Sequence, residues 1–237
     1  MSPTSTTRVV VLGGTSGIGL AVAHLAAGTG ARVVVGSRTA ERASGGLPSG
    51  VTARPVDVTS PESLREFFDH VGEFDHLVYT AGDDLVRVAV ADYDPDQARR
   101  FFDVRLFHAL DGVRAALPTL SPSGSITLTS GAAAYHGGPG RLLGAAVSGA
   151  IISAARSLAI ELAPVRVNVV APGLVRTPLW SAMAEDDRRK MFEWAGKETL
   201  LGRIADPDDV AKAYLHLMDQ AHTTGTVSLV DGGSRLA

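Results

Sequence analysis

Apolar residues run without interruption over 9–12 and stop at Gly13. A run with no polar alternation suits a parallel strand buried on both faces. From Ile18 the period changes, and Ile18, Val22, Leu25 and Ala26 fall on one helical face. Gly28 and Gly30 end that helix, and residues 31–35 predict a second strand. Residues 36–50 are broken by Gly45, Gly46, Pro48 and Gly50, leaving room only for a short helix around 39–43. Residues 51–56 predict a third strand that ends at Asp57. Thr59 and Ser60 can open the next helix, with Pro61 in its first turn and Glu62 placed for a capping interaction. Leu64, Phe67, Phe68 and Val71 form its apolar face.

Residues 77–79 predict a fourth strand, closing on Ala81-Gly82, and 83–94 read as a polar surface loop. Asp94-Pro95 opens a long helix to about Leu117. A fifth strand is expected over 125–129, an irregular loop over 131–140, and a helix rich in small residues over 142–162. A sixth strand at 165–170, a helix capped by Asp206-Pro207 and running to Met218, and a last strand at 226–230 complete the chain. Strands and helices alternate throughout, which predicts an α/β fold with a doubly wound parallel sheet of about seven strands in one domain, 1–237. Residues 1–7 read as a loose tail. Gly13 to Gly19, Ser37-Arg38, Asp57, Ala81-Gly82, Ser130-Gly131 and Pro172-Gly173 all fall at carboxyl ends of strands, where such sheets bind ligands.

Composition narrows the chemistry. The chain has 237 residues, no cysteine, and 22 basic against 25 acidic residues, for a net charge of −3. Disulfides and thiolate chemistry are excluded, which fits a cytoplasmic protein. No basic stripe points to nucleic acid, and no apolar run is expected to reach membrane-spanning length. His24, His70, His76, His108, His216 and His222 lack metal-ligand spacing, so no metal is expected. The strand–GGTSGIG–helix order over 9–19 is a nucleotide-binding start: glycines allow a tight turn and bring backbone N–H groups to a pyrophosphate.

The chain resembles the classical short-chain dehydrogenase/reductase family over nearly its whole length. The residues that carry the resemblance are GGTSGIG (13–19), VDVTS (56–60), TAG (80–82), SITLTSG (125–131), RSLAIELA (156–163), RVNVVAPGLVRTP (166–178) and VDGG (230–233). The resemblance implies a Rossmann-type fold that binds a nicotinamide dinucleotide. Gly13, Thr15, Ser16, Gly17, Ile18 and Gly19 would form the phosphate turn. Asp57, with Val58 beside it, would accept from the adenine amino group. Ala81 and Gly82 would line the adenosine ribose. Pro172, Gly173, Val175 and Thr177 would hold the nicotinamide amide. Where relatives that prefer NAD carry an acidic residue, this chain has Ser37 followed by Arg38; a hydroxyl and a guanidinium suit a 2′-phosphate, so NADP(H) is expected over NAD(H).

The family's catalytic Asn, Ser, Tyr and Lys are absent. Counting back from RSLAIELA places the serine position on Gly131, the tyrosine on Gly144 and the lysine on Ser148; the asparagine position in FDVRLF is Arg105. The lysines are Lys190, Lys197 and Lys212, and none follows a tyrosine by four residues. Ser130, Tyr135, His136 and Arg105 are the candidate replacements. Each has a structural alternative: Ser130 bonding the strand end, Tyr135 packing under its loop, His136 facing solvent, Arg105 pairing with Asp103 or Glu161. Two functions follow: an NADPH-dependent oxidoreductase of carbonyl or quinone-type substrates with an atypical site, or an NADP(H)-binding protein without turnover that serves as sensor or assembly partner. Residues 179–205 correspond to the family's mobile substrate segment, and the charge run 185–190 reads as a solvated helix face. A homodimer or homotetramer through helices 95–117 and 142–162 is expected from similar proteins.

Overall fold

A computed structural model describes residues 3–40, 46–83 and 85–237. Part of the short helix expected around 39–43 lies outside these residues. Seven strands form one parallel sheet: β1 (Arg8–Leu12), β2 (Arg32–Ser37), β3 (Val51–Pro55), β4 (Phe74–Tyr79), β5 (Leu120–Thr129), β6 (Arg166–Pro172) and β7 (Val227–Val230). Their spatial order is β3-β2-β1-β4-β5-β6-β7, so the chain reverses direction across the sheet between β1 and β4. Ligands of doubly wound sheets bind outside the carboxyl ends at that reversal.

The unbroken apolar run in β1 serves two cores. Val10 and Leu12 pack with α2 (Pro61–Val71), α4 (His108–Ala116) and α5 (Leu142–Glu161), together with Leu77, Ile126, Leu128 and Val169. Val9 and Val11 face the other layer, α1 (Gly17–Gly28) and α7 (Pro207–Asp219), with Val35, Val78 and Val170. Successive side chains of a strand point to opposite faces, so each of these strands is apolar on both.

Several local expectations change. The N-terminal segment is tied down from Pro3, which is buried, and the Thr7 carbonyl accepts from the Arg32 N–H at 2.9 Å. Ser60 caps α2 by accepting from the Ser63 N–H, and Glu62 instead pairs with Arg65 at 3.6 Å. The long helix expected from 95 to about 117 is interrupted: α3 (Pro95–Phe102) passes through a π-helical turn, Asp103–Phe107, before α4 begins. Such turns recur at functional sites, and this one carries Arg105. Contrary to the expectation drawn from its sequence, α5 is long and apolar enough to cross a membrane by length and composition. In the fold Ile151, Ile152, Ala155 and Ala159 bury one face of it against the sheet. The last long helices are α6 (Glu185–Lys197), solvated and laced by Arg189 pairs to Asp186 and Glu193, and α7, which starts with a capping box between Asp206 and Asp209.

Candidate active site and cofactor cradle

β1 ends on Gly13, which turns with φ +87° and donates to the Gly36 carbonyl at 2.8 Å. A Cβ on Gly13 would stand 2.5 Å from the Ala81 nitrogen. The ends of β1 and β4 therefore meet backbone to backbone, and only glycine fits. The Thr80 hydroxyl donates to the Leu12 carbonyl at 3.1 Å. A Cβ on Gly19 would collide with the Gly13 carbonyl and the Thr80 hydroxyl. These glycines close the turn whether or not anything is bound.

The start of α1 points to a ligand. Ser16 is its N-cap, yet its side chain makes no capping bond and no acidic residue stands in the first turn. The first helical N–H groups are left for an anion, where the helix dipole also favours one. Gly17 and Thr177 approach across this turn, a Cβ on Gly17 falling 3.3 Å from the Thr177 Cβ. Thr15, Ser16, Gly17 and Ile18 thus lie between the sheet edge and the segment after β6. In that segment Gly173 donates to the Val230 carbonyl at 2.9 Å, and buried Val175 bridges to Ala205.

At the end of β2 the Ser37 hydroxyl bonds Thr39, and Arg38 is exposed beside it. Asp57, after β3, accepts from the Thr59 N–H at 3.0 Å and from the Thr59 hydroxyl at 2.8 Å. These bonds, with the Arg38 charge adding to them, hold its carboxyl below the ordinary carboxylate range. Val58 packs against the core alongside. The cation, the hydroxyl and Asp57 occupy the β2–β3 end of the edge, and among the described residues no carboxylate directly follows β2. The pieces present fit a phosphorylated dinucleotide: free helix N–H groups at the turn, and a guanidinium with a hydroxyl at its far end.

Gly131 and Ser148, which the sequence count aligns with the family's serine and lysine, stand close together. Gly131 follows β5, and a Cβ there would lie 3.1 Å from the Ser148 Oγ of α5. The serine and lysine positions are thus face to face. Gly144 is one turn before Ser148, and a Cβ on it would meet nothing within 4 Å. No Tyr–Lys pair replaces them: Tyr79 is buried with its hydroxyl donating to the Val104 carbonyl, and Tyr214 is buried against Thr129 at 2.7 Å.

Of the four candidates, Ser130 donates its hydroxyl to the Ser148 carbonyl at 2.8 Å, tying β5 to α5. Tyr135 is 39% exposed, with the Arg235 guanidinium 5.5 Å from its ring centroid. His136 is half-buried rather than solvent-facing, and its Nδ1 is buried without a hydrogen-bond partner. Arg105 pairs with neither Asp103 nor Glu161. Its guanidinium donates to both the carboxylate and the carbonyl of Asp83, lies 4.1 Å over the Phe101 ring, and sits 3.7 Å from where a Gly82 Cβ would be. Its side chain is 15% exposed. Burial pushes its pKa down to about 10, which leaves it cationic at neutral pH. Among the described residues no hydrogen bond joins any two of the four. Sequence reasoning missed Asp83 and Arg235; Asp83 stands directly after TAG (80–82), where its position was visible but its partner was not.

Comparison with known proteins identifies the family. A family model described as enoyl-(acyl carrier protein) reductase matches residues 13–235. The short-chain dehydrogenase/reductase malC of Malbranchea aurantiaca is 33% identical over 264 aligned positions covering all of both chains. Carbonyl reductase family member 4 of Xenopus laevis is 31% identical, over 95% of this chain and 97% of its own. A crystal structure of a small-chain dehydrogenase in complex with NADPH superimposes with a TM-score of 0.86 at 33% identity, covering 98% and 99% of the two chains. The MalC reductase/Diels-Alderase structure, also from Malbranchea aurantiaca, gives a TM-score of 0.89 at 29% identity, covering 98% and 97%. The fold, the cradle and these relatives together place the chain in the short-chain dehydrogenase/reductase family of oxidoreductases.

Proposed function

We propose that this chain is an NADPH-dependent reductase of quinone-type or activated carbonyl compounds that works without the family's Asn-Ser-Tyr-Lys group. The observation that carries the reading is Arg105, a half-buried cation clamped by Asp83 beside Gly82. The preference for NADPH rests on Ser37 and Arg38 at the end of β2, and the name of the NADPH-bound neighbour is in keeping with it. The cofactor, when bound, supplies a hydride from C4 of its nicotinamide ring.

Arg105 holds a fixed charge for the electron pair that moves onto a carbonyl oxygen as hydride adds to the acceptor. Clamping by Asp83 keeps that charge in place without reorganisation. A hydroquinone or enolate oxygen is a weak base and can take its proton from water, so the missing tyrosine is dispensable for such substrates. A simple ketone gives a strongly basic alkoxide and is expected to react poorly. Ser130 holds β5 against α5 and keeps Gly131 open toward Ser148. Tyr135 and His136 border the site on the loop after β5. Residues 179–205 act as the lid, with Arg176 5.1 Å from the Phe192 ring centroid at their base.

A second reading is an NADP(H)-binding protein without turnover, because Ser130 and Arg105 already spend hydrogen bonds on protein partners. NADPH oxidation with a panel of quinones, diketones and simple ketones separates the two. Turnover confined to quinones and diketones supports the reductase; tight NADPH binding with no turnover on any supports the second reading. We also propose that the protein self-associates through α3, α4 and α5, where Val90, Tyr93, Phe107 and Leu142 line an exposed apolar groove.

A further inference from the structure

Small residues at the catalytic positions leave open space along the start of α5. Arg141, Ala145 and Ser148 follow one row along the start of α5, and Gly144 lies beside it. At one end of the row the Ser148 hydroxyl faces Gly131 at the carboxyl end of β5. At the other end Arg141 and Ala145 line a pocket of about 390 Å³ with Val88, Val90, Gly138 and Leu142. Between the two ends, Gly144 presents no side chain, and a Cβ there would touch nothing within 4 Å.

One polar group beside this pocket has no partner. The His136 Nδ1, one residue before pocket-lining Gly137, is buried and unbonded. Buried polar groups are ordinarily satisfied, and a ligand that carries oxygen would satisfy it. The pocket is apolar and within the size range of small-molecule sites.

We propose that Gly144 and Ala145 form a slot that takes the ring system of a multi-ring apolar conjugated carbonyl compound, with the outer rings in the pocket bordered by Val88 and Arg141. The slot occupies the space where the family's tyrosine would stand, so it sets substrate size as well as reaction type. This inference rests on the reductase reading for its substrate chemistry but not for its geometry. A one-ring acceptor leaves the slot and pocket unfilled and binds more weakly than a three-ring one.

The test titrates anthraquinone-2-sulfonate, a three-ring probe, into wild type and into Gly144→Phe and Ala145→Trp, each with and without NADP⁺. NADPH is titrated into all three separately. Gly144→Phe fills the slot, and Ala145→Trp fills the pocket end. Both are expected to bind NADPH as wild type does, which also shows that they fold, and to lose the probe by about tenfold or more. Gly144→Ala is expected to keep the probe. Probe affinity unchanged in both bulky variants, or no binding of the probe to wild type in either cofactor state, overturns the slot. Failure of NADPH to bind wild type is a separate result that refutes the reductase reading, while loss of the probe in Gly144→Phe still supports the slot.

Discussion

Two glycines in this chain respond to alanine in opposite directions. At Gly13 an added Cβ meets the Ala81 nitrogen at 2.5 Å and the Ala81 Cα at 2.7 Å, and both are backbone atoms of the neighbouring strand end. The position also has φ +87°. Holding a non-glycine residue there costs about 1–3 kcal/mol in backbone strain, and overpacking adds about 1–3 kcal/mol. Gly144 is helical and its Cβ meets nothing. Replacing a helical glycine with alanine gains about 0.5–1 kcal/mol. In a chain of this size each kcal/mol moves the melting temperature by about 2–4 °C. Gly13→Ala should therefore melt at least about 4 °C below wild type, and Gly144→Ala should melt above it by about 1–4 °C. Thermal unfolding followed by circular dichroism reads both. A Gly13→Ala protein that melts with wild type would show that β1 and β4 do not meet at Ala81. A fall in the Gly144→Ala melting temperature would mean that the space beside α5 is already filled.

Three further outcomes follow from the same structure. His76 is buried against Ser125, and burial lowers its pKa from 6.5 to about 4. The unfolded chain binds that proton first, so stability is intact above pH 6.5 and falls by about 3 kcal/mol as pH drops toward 4; denaturant titrations across that window should show a shallower slope in His76→Gln. Tyr214→Phe removes the hydroxyl that bonds Thr129 while Thr129 keeps its bond to the Tyr79 carbonyl, so a loss of about 0.5–1.5 kcal/mol in chemical denaturation is expected. Phe107→Asp places a charge on the apolar groove along α3 to α5, and light scattering should find the variant in a smaller assembly than wild type.

The sheet was legible because its strands are apolar on both faces: Val9 to Leu12 read as buried before any partner was known, and the core accounts for each of them. β5 begins earlier than its pattern suggests, because Ser121, Pro122, Ser123 and Gly124 look like a loop yet extend the strand from Leu120. The π turn at Asp103–Phe107 was invisible, since one extra residue per turn leaves no mark on a helical pattern this short. That no lysine follows a tyrosine by four residues could be counted from the sequence alone. What replaces that pair could not. Arg105 finds Asp83 twenty-two residues away, Arg235 reaches Tyr135 from the far end of the chain, and Ser148 faces Gly131 across a loop. Each contact is made by the tertiary fold, and local spacing carries no trace of it.

The central claim is that this edge of the sheet holds NADPH, with Arg38 on the 2′-phosphate. It is tested most directly by titrating wild type and Arg38→Glu with NADPH and, separately, NADH, following cofactor fluorescence. Wild type should bind NADPH well above NADH, and Arg38→Glu should lose about tenfold or more of its NADPH affinity while keeping that for NADH, as expected when hydrogen bonds to a charged group are removed. Equal affinity of wild type for both cofactors, or no binding of either, would contradict it.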